Sequence, residues 1–233
     1  MARYAVSDLH GRKDIFDKIM SELIGPNDTL YILGDVVDRG PEPFELLRAA
    51  MSDPRVKLLK GNHEDMFKNA IYEYTDEWYN DAIQLHAYNG GSKTFDDWLN
   101  AGAHPSWSRQ LAQLPLKMEF ENKDGYNLIL CHAGFTPGYL DRQPNEKELL
   151  WDRHHFHHIW PEGPEFAKTI IIHGHTPIPY MPEHLIGDWQ CDGALWYCGN
   201  HKVNLDTGAS YTNVAVVLDL DTFDEHIFEI VKS

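Results

Sequence analysis

Thr29-Leu30-Tyr31-Ile32-Leu33-Gly34-Asp35-Val36-Val37-Asp38-Arg39-Gly40 decides how the chain is read. The first five residues are an apolar run rich in strand formers. The rest is a polar cluster bounded by glycines, with two carboxylates and a guanidinium. Upstream, Tyr4-Ala5-Val6 leads into Asp8-Leu9-His10-Gly11. Downstream, Val56 to Leu59 leads into Gly61-Asn62-His63-Glu64. Between these runs lie two helical patterns. Arg12 to Ile24 has Ile15, Phe16, Ile19, Met20 and Leu23 on one face, and Pro41 to Met51 carries a proline near its first turn. Strands alternating with helices indicate βαβ units and a mostly parallel sheet.

The arrangement recurs in the second half. His132-Ala133-Gly134 follows Leu128 to Leu130, and His173-Gly174-His175-Thr176 follows Ile170 to Ile172. Glu64 to Leu114 reads as largely helical, broken at Asn89-Gly90-Gly91. From Leu116 on, strands are expected at 117–120, 126–131, 169–172, 203–205, 214–220 and 226–231. A βαβαβ start, a helical middle and a strand-rich end predict an α/β fold: a four-layer α/β/β/α sandwich of two mixed sheets flanked by helices. No repeat, linker or composition shift divides residues 1–233, so one domain is expected.

Composition narrows the function classes. The 233 residues are 42% hydrophobic, with a formal net charge of −16. That is enough apolar matter for a sizeable core and excludes a disordered chain. So acidic a surface argues against non-specific nucleic-acid binding, which needs clustered Lys and Arg. Met1 to Ser7 lacks a signal-peptide pattern, and no apolar stretch approaches the roughly 20 residues of a membrane span. Three scattered cysteines, Cys131, Cys191 and Cys198, form no disulfide framework. The expectation is a cytoplasmic protein with no nucleic-acid or membrane partner; no oligomeric state is indicated.

Five polar clusters at strand ends belong in one crevice, because open α/β sheets bind ligands outside the carboxyl ends of their strands. Asp8, His10, Asp35, Asn62, His132 and His175 mix carboxylate and amide oxygens with imidazole nitrogens, the donor set of hard and borderline cations. There are too many for one ion. Two ions about 3.5–4 Å apart, sharing a carboxylate, would use them all.

In order, the clusters D-x-H-G, G-D-x-x-D-R-G, G-N-H-E, H-A-G and G-H-T resemble the phosphoprotein phosphatase branch of the calcineurin-like metallophosphoesterases, over roughly residues 4 to 215. The resemblance implies that Asp8 and His10 bind the first metal and that Asp35 bridges to the second, which Asn62, His132 and His175 complete. It selects His175 over His173 because the ligand histidine follows glycine in the family pattern. It makes His63 the general acid, oriented by Asp38, and Arg39 a phosphate-binding residue. Leu149 to Arg153 is similar to the segment supplying the second phosphate-binding arginine, Arg153. Mn²⁺ is the expected cation, while Fe or Zn would suit the same ligands.

The remaining features have plainer readings. Glu64 is expected to hydrogen-bond behind the ligands, and Asp206-Thr207-Gly208 to shape the site without binding metal. The run His154, His155, His157 and His158 is expected to be a solvated loop near the cleft. Asn89-Gly90-Gly91 fits either the rim of the site or a simple helix break. Trp78, Tyr79, Tyr88 and Trp98 are expected in the core. The compact length and the Arg153 segment resemble bacterial protein phosphatases, and the resemblance implies, as the leading function, hydrolysis of phosphoserine or phosphothreonine in a protein or peptide, with phosphotyrosine as a further substrate. The rival enzyme is a symmetrical diadenosine tetraphosphatase, and a rival of another class is an inactive phosphate-binding module.

Overall fold

Strand and helix formers fall where the alternation places them. In chain order the strands are β1 (Arg3–Val6), β2 (Thr29–Ile32), β3 (Val56–Leu58), β4 (Lys117–Glu121), β5 (Asn127–Cys131), β6 (Thr169–His173), β7 (Leu195–Tyr197), β8 (Lys202–Asn204), β9 (Val214–Asp219) and β10 (Glu225–Glu229). The principal helices are α1 (Lys13–Glu22), α2 (Pro43–Ser52), α3 (Asn62–Tyr72), α4 (Asp81–His86), α5 (Ser92–Asn100), α6 (Ser106–Ala112) and α7 (Glu146–Trp151); single turns at Glu183–Ile186 and Ala209–Thr212 are α8 and α9. This computed structural model describes residues 1–74, 81–138, 143–187, 189–190 and 193–231.

Two five-stranded mixed sheets result, ordered β10-β9-β1-β2-β3 and β4-β5-β6-β8-β7. In the first, β1, β2 and β3 are parallel, with Tyr4 opposite Leu30 and Leu30 opposite Val56. In the second, β5, β6 and β8 are parallel, with antiparallel strands at both edges.

Side-chain alternation along the strands explains the layering. Val6, Leu30 and Ile32 point outward to Ile15, Phe16 and Ile19 of α1 and to Phe44, Leu46 and Leu47 of α2. Ala5, Leu33 and Leu59 point inward and meet Leu128, Leu130, Ile170, Ile172 and Val203 of the second sheet. On that sheet's far face, Ile129, Cys131 and Ile171 pack against Leu149 of α7. The expected four-layer α/β/β/α sandwich, two packed mixed sheets flanked by helices, is thus observed.

Several short elements had no clear signal, β7 and α7 as well as the single turns α8 and α9. β7 is three residues long, and α7 is six residues held by an Asn145–Glu148 capping box. The helical middle is broken at Asn89-Gly90-Gly91 as expected, in a widened turn over Ala87–Gly91 with Gly90 at φ 96°. Trp98 is buried against Phe67 and Phe95, whereas Tyr88 is exposed, contrary to expectation. Trp78, Tyr79 and Cys191 lie outside the described residues.

Candidate metal and phosphate site

The loops leaving the parallel strands interlock through their backbones. Asp8 N–H donates to the Gly34 carbonyl at 3.3 Å, His10 N–H to Asp35 O at 2.9 Å, and Gly11 N–H to Val36 O at 2.8 Å. Across the sheets, Gly174 N–H donates to His132 O at 2.8 Å, and His175 N–H to the Asp8 carboxylate at 3.0 Å. The five clusters therefore do meet at one edge of the sandwich. Asp8, His10, Asp35, Asp38, Arg39 and His175 all have positive φ, between 40° and 71°. A left-handed backbone is costly for non-glycine residues and persists where surroundings over-determine it. Here the interlocked loops supply that constraint.

Two glycines are required by close approach. A Cβ on Gly61 would collide with Asp35 Oδ1, and one on Gly174 with Ser7 and the Asp8 carboxylate. Behind Asp35, the buried Glu64 carboxylate accepts N–H from Asp35 (2.7 Å), Val36 (2.9 Å), Val37 (3.3 Å) and Gly61 (2.9 Å). Burial pushes its carboxyl up to about 7 against the pull of these donors. Glu64 thus hydrogen-bonds behind the ligand loops, as expected.

The imidazoles are aimed by the groups behind them. Nδ1 of His10 lies 2.8 Å from Val37 O, and Nδ1 of His132 lies 2.8 Å from Leu33 O. A carbonyl only accepts, so each Nδ1 carries the proton and each Nε2 is unprotonated, that of His10 accepting from the Arg39 guanidinium at 2.8 Å. Both Nε2 atoms flank one atom: Asp35 Oδ2 is 3.7 Å from His10 Nε2 and 3.5 Å from His132 Nε2. Asn62 Oδ1 joins them, 2.8 Å from His132 Nε2 and 2.9 Å from His175 Nδ1.

Two triads among the described residues have donor atoms close enough to hold a cation: His10, Asp35 and His63, and Asp35, His132 and His175. They share Asp35. Asp8 Oδ1 and His175 Nε2 are buried without a hydrogen-bond partner, a costly state for polar atoms that a cation would relieve. Burial first, then the charge of Asp8, pushes the Asp35 carboxyl well above its usual range, and the same two causes raise buried Asp206. Crowded carboxylates, unprotonated ring nitrogens and orphaned buried acceptors fit divalent cations.

His63 Nε2 also lies 3.9 Å from Asp35 Oδ2, but a carboxylate and not a carbonyl holds its ring. Its Nδ1 is 2.6 Å from Asp38 Oδ2. Asp38 Oδ1 accepts from Thr94 Oγ1 at 2.5 Å and lies 2.9 Å from His86 Nε2. Burial raises the Asp38 carboxyl, but hydrogen bonds from His63 and His86 outweigh it and hold it below the usual carboxylate range. Burial lowers His63 despite Asp38. His86 and Thr94 were not anticipated: both come from the helical middle, and only the Asn89-Gly90-Gly91 break hinted that this segment reaches the site.

Arg39 enters from the rim. Its guanidinium nitrogens lie 2.8 Å from His10 Nε2 and 2.9 Å from His63 Nε2, and its backbone N–H is anchored on Gly90 O at 3.1 Å. Arg153 is exposed on the opposite loop, with Nε donating to Thr176 Oγ1 at 3.1 Å beside His175. His173 points away, its Nε2 2.7 Å from the Tyr197 hydroxyl. The histidine run corrects the expectation in part: His154 and His157 are exposed, but His155 is fully buried among Lys202, Tyr197 and His173.

The family model described as calcineurin-like phosphoesterase matches residues 1–218. The chain belongs to this family. A Delftia acidovorans protein named bis(5'-nucleosyl)-tetraphosphatase, symmetrical, is 27% identical over 146 residues, 61% of this chain and 48% of that protein. The chain spans about half the length of the curated relatives it matches. Among solved structures, a putative diadenosine tetraphosphatase superposes with a TM-score of 0.61 at 16% identity, covering 100% of this chain and 95% of the other. A Saccharomyces cerevisiae protein serine/threonine phosphatase superposes with a TM-score of 0.55 at 17% identity, covering 100% and 81%. At these identities the superpositions show the fold alone. Among the described residues no helix is long and apolar enough to cross a membrane.

The Glu64 arrangement can be tested without any ligand. Glu64→Ala strands four buried N–H donors and is expected to lower the unfolding free energy by about 3–5 kcal/mol. Urea denaturation followed by circular dichroism measures this, and a loss under about 1 kcal/mol would contradict the role given to Glu64.

Proposed function

We propose that the chain is a two-metal phosphoesterase that hydrolyses dinucleoside polyphosphates symmetrically, releasing two nucleoside diphosphates from a tetraphosphate. The observation that carries the two-metal reading is the position of Asp35 Oδ2, 3.7 Å from the unprotonated Nε2 of His10 and 3.5 Å from that of His132. Asp8, His10 and Asp35 would hold one cation, and Asp35, Asn62, His132 and His175 the other. When bound, such a pair supplies Lewis acidity and acidifies water toward pH 7.

The chain's own groups do the rest. Arg39 and Arg153 would grip the phosphoryl oxygens, a task for which the guanidinium fork is suited. His63 would deliver a proton from Nε2 to the leaving oxygen. Asp38 on Nδ1 fixes the ring and stabilises its imidazolium, and His86 and Thr94 hold Asp38 in turn. The Arg39 contact to His63 Nε2 suits the neutral ring, because a guanidinium only donates. Substrate phosphate drawing Arg39 away would free Nε2 to take up the proton it transfers.

The substrate class follows the curated relatives, which are named as symmetrical tetraphosphatases and match a stretch of 140–147 residues at 27–31% identity. The phosphoserine or phosphothreonine reading has support only from structural neighbours of low identity. An inactive binding module is disfavoured because six candidate ligands, the acid candidate His63 and its partner Asp38 are all in place, and Asp35, His132 and His175 lie close enough to hold a cation.

Incubating the Mn²⁺-loaded protein separately with diadenosine tetraphosphate and a phosphoserine peptide tests the substrate. ADP as sole product, at the higher kcat/KM, is expected; ATP plus AMP, or turnover of the peptide alone, would sink the reading. Asp35→Asn is expected to lose bound metal by elemental analysis, and full occupancy would contradict a shared carboxylate. His63→Asn should keep its metal and lose about 10²–10⁴-fold on an alkyl phosphate. Its loss on the tetraphosphate should be much smaller, since a nucleoside diphosphate leaves more readily than an alkoxide; equal losses would argue against His63 as the acid.

A further inference from the structure

Behind the site, β8 presents a polar face. Val203 packs between the sheets, while Lys202 and Asn204 on the opposite face are also fully buried. Lys202 Nζ donates to Thr136 Oγ1 at 2.6 Å and to the His155 carbonyl at 2.9 Å, and lies 3.3 Å from His155 Nδ1. None of these partners is a carboxylate. Burial pushes the amine down to about 8, so it remains charged at neutral pH. Its Nζ also lies 5.8 Å from the centroid of the Tyr197 ring; a buried cation without a carboxylate partner among the described residues is costly, and a hydrophobic residue of similar volume would satisfy packing at least as well.

The partners indicate what the cation holds. Thr136 follows His132 by four residues, on the loop leaving β5. His155 follows Arg153 by two, on the loop leaving α7. The same face of β8 also anchors Arg153's other support: Asn204 Nδ2 donates to Thr176 O at 2.8 Å, and Thr176 Oγ1 receives Arg153 Nε. Arg153 itself is exposed on a loop, so without such anchoring its guanidinium would have to be ordered at each binding event.

We propose that Lys202 is a positioning residue for phosphate binding, tying the loop that follows His132 to the loop that carries Arg153 and so presetting the Arg153 guanidinium at the site. This rests on the reading of Arg153 as a phosphate-binding residue. The effect is preorganisation: the charge is spent on geometry rather than on fold stability.

The test is a double-mutant cycle with Arg153→Ala, Lys202→Met and the pair. Inorganic phosphate is titrated into each Mn²⁺-loaded protein by calorimetry, alongside KM and kcat for p-nitrophenyl phosphate, metal content and Tm. Arg153→Ala should weaken phosphate binding on the order of tenfold. Lys202→Met should weaken it by a comparable factor, raising KM more than it lowers kcat, with metal content kept and Tm unchanged or higher. The double variant should bind phosphate no worse than Arg153→Ala alone. Wild-type phosphate affinity in Lys202→Met, or losses that multiply in the pair, overturns the inference while leaving the reading of Arg153 intact. Unchanged affinity in Arg153→Ala overturns that reading and the inference with it. Should Lys202→Met fail to fold, Thr136→Val carries the same test: affinity must fall with Tm and metal content kept, and unchanged affinity overturns the proposal.

Discussion

Electrostatic crowding around the Asp35 carboxylate is the constraint on which the site depends. Asp35 is buried beside Asp8, with Glu64 behind it and the lone pairs of His10 and His132 on either side. Such an assembly is unfavourable unless positive charge is brought into it. The structure holds the assembly in place from outside. Glu64 ties down the loop after β2, the β1 and β2 loops share hydrogen bonds, and carbonyls of Leu33 and Val37 fix the histidine tautomers. Left-handed backbones at six of these residues show how tightly the loops are determined. Candidate ligands held by backbone groups in this way would be oriented before any cation arrived.

The sandwich makes this possible by bringing two sets of parallel strands together at one edge. The inter-sheet core of Leu33, Leu59, Leu130, Ile172 and Val203 sets the distance between the strand tips. Asp35 and Asn62 come from one sheet, and His132 and His175 from the other. Coordination across the sheets would therefore draw on the packing of the whole core. On the proposed reading the acidic chain and a polyanionic substrate would repel at long range, so Arg39, Arg153 and bound cations would have to provide the local attraction.

The parts legible in the sequence were those whose signal is local. An apolar run ending in Gly-Asp, Gly-Asn-His or His-Gly-His announces a strand and a cluster of donor groups together, so the two sheets and the convergence of the five clusters could be read from spacing, whereas the choice of His175 over His173 came from the family resemblance. The supports could not, because they are made by residues distant in sequence. His86 and Thr94 reach Asp38 from 48 and 56 residues away. Lys202 reaches Thr136 across 66. The histidine run misled because its polarity suggested solvent, while His155 is enclosed by the buried Lys202 and Tyr197. β7 and α7 are too short for periodicity to mark them. Substrate choice was harder still, since the groups that act on phosphate serve monoesters and anhydrides alike.

The central claim is that one carboxylate serves two neighbouring cations. Electron paramagnetic resonance of the protein titrated with Mn²⁺ tests it most directly. Two bound ions per chain, giving the spectrum of an exchange-coupled pair once the second site fills, is the predicted result. Saturation at one ion, or two ions with independent single-ion spectra, would contradict the account.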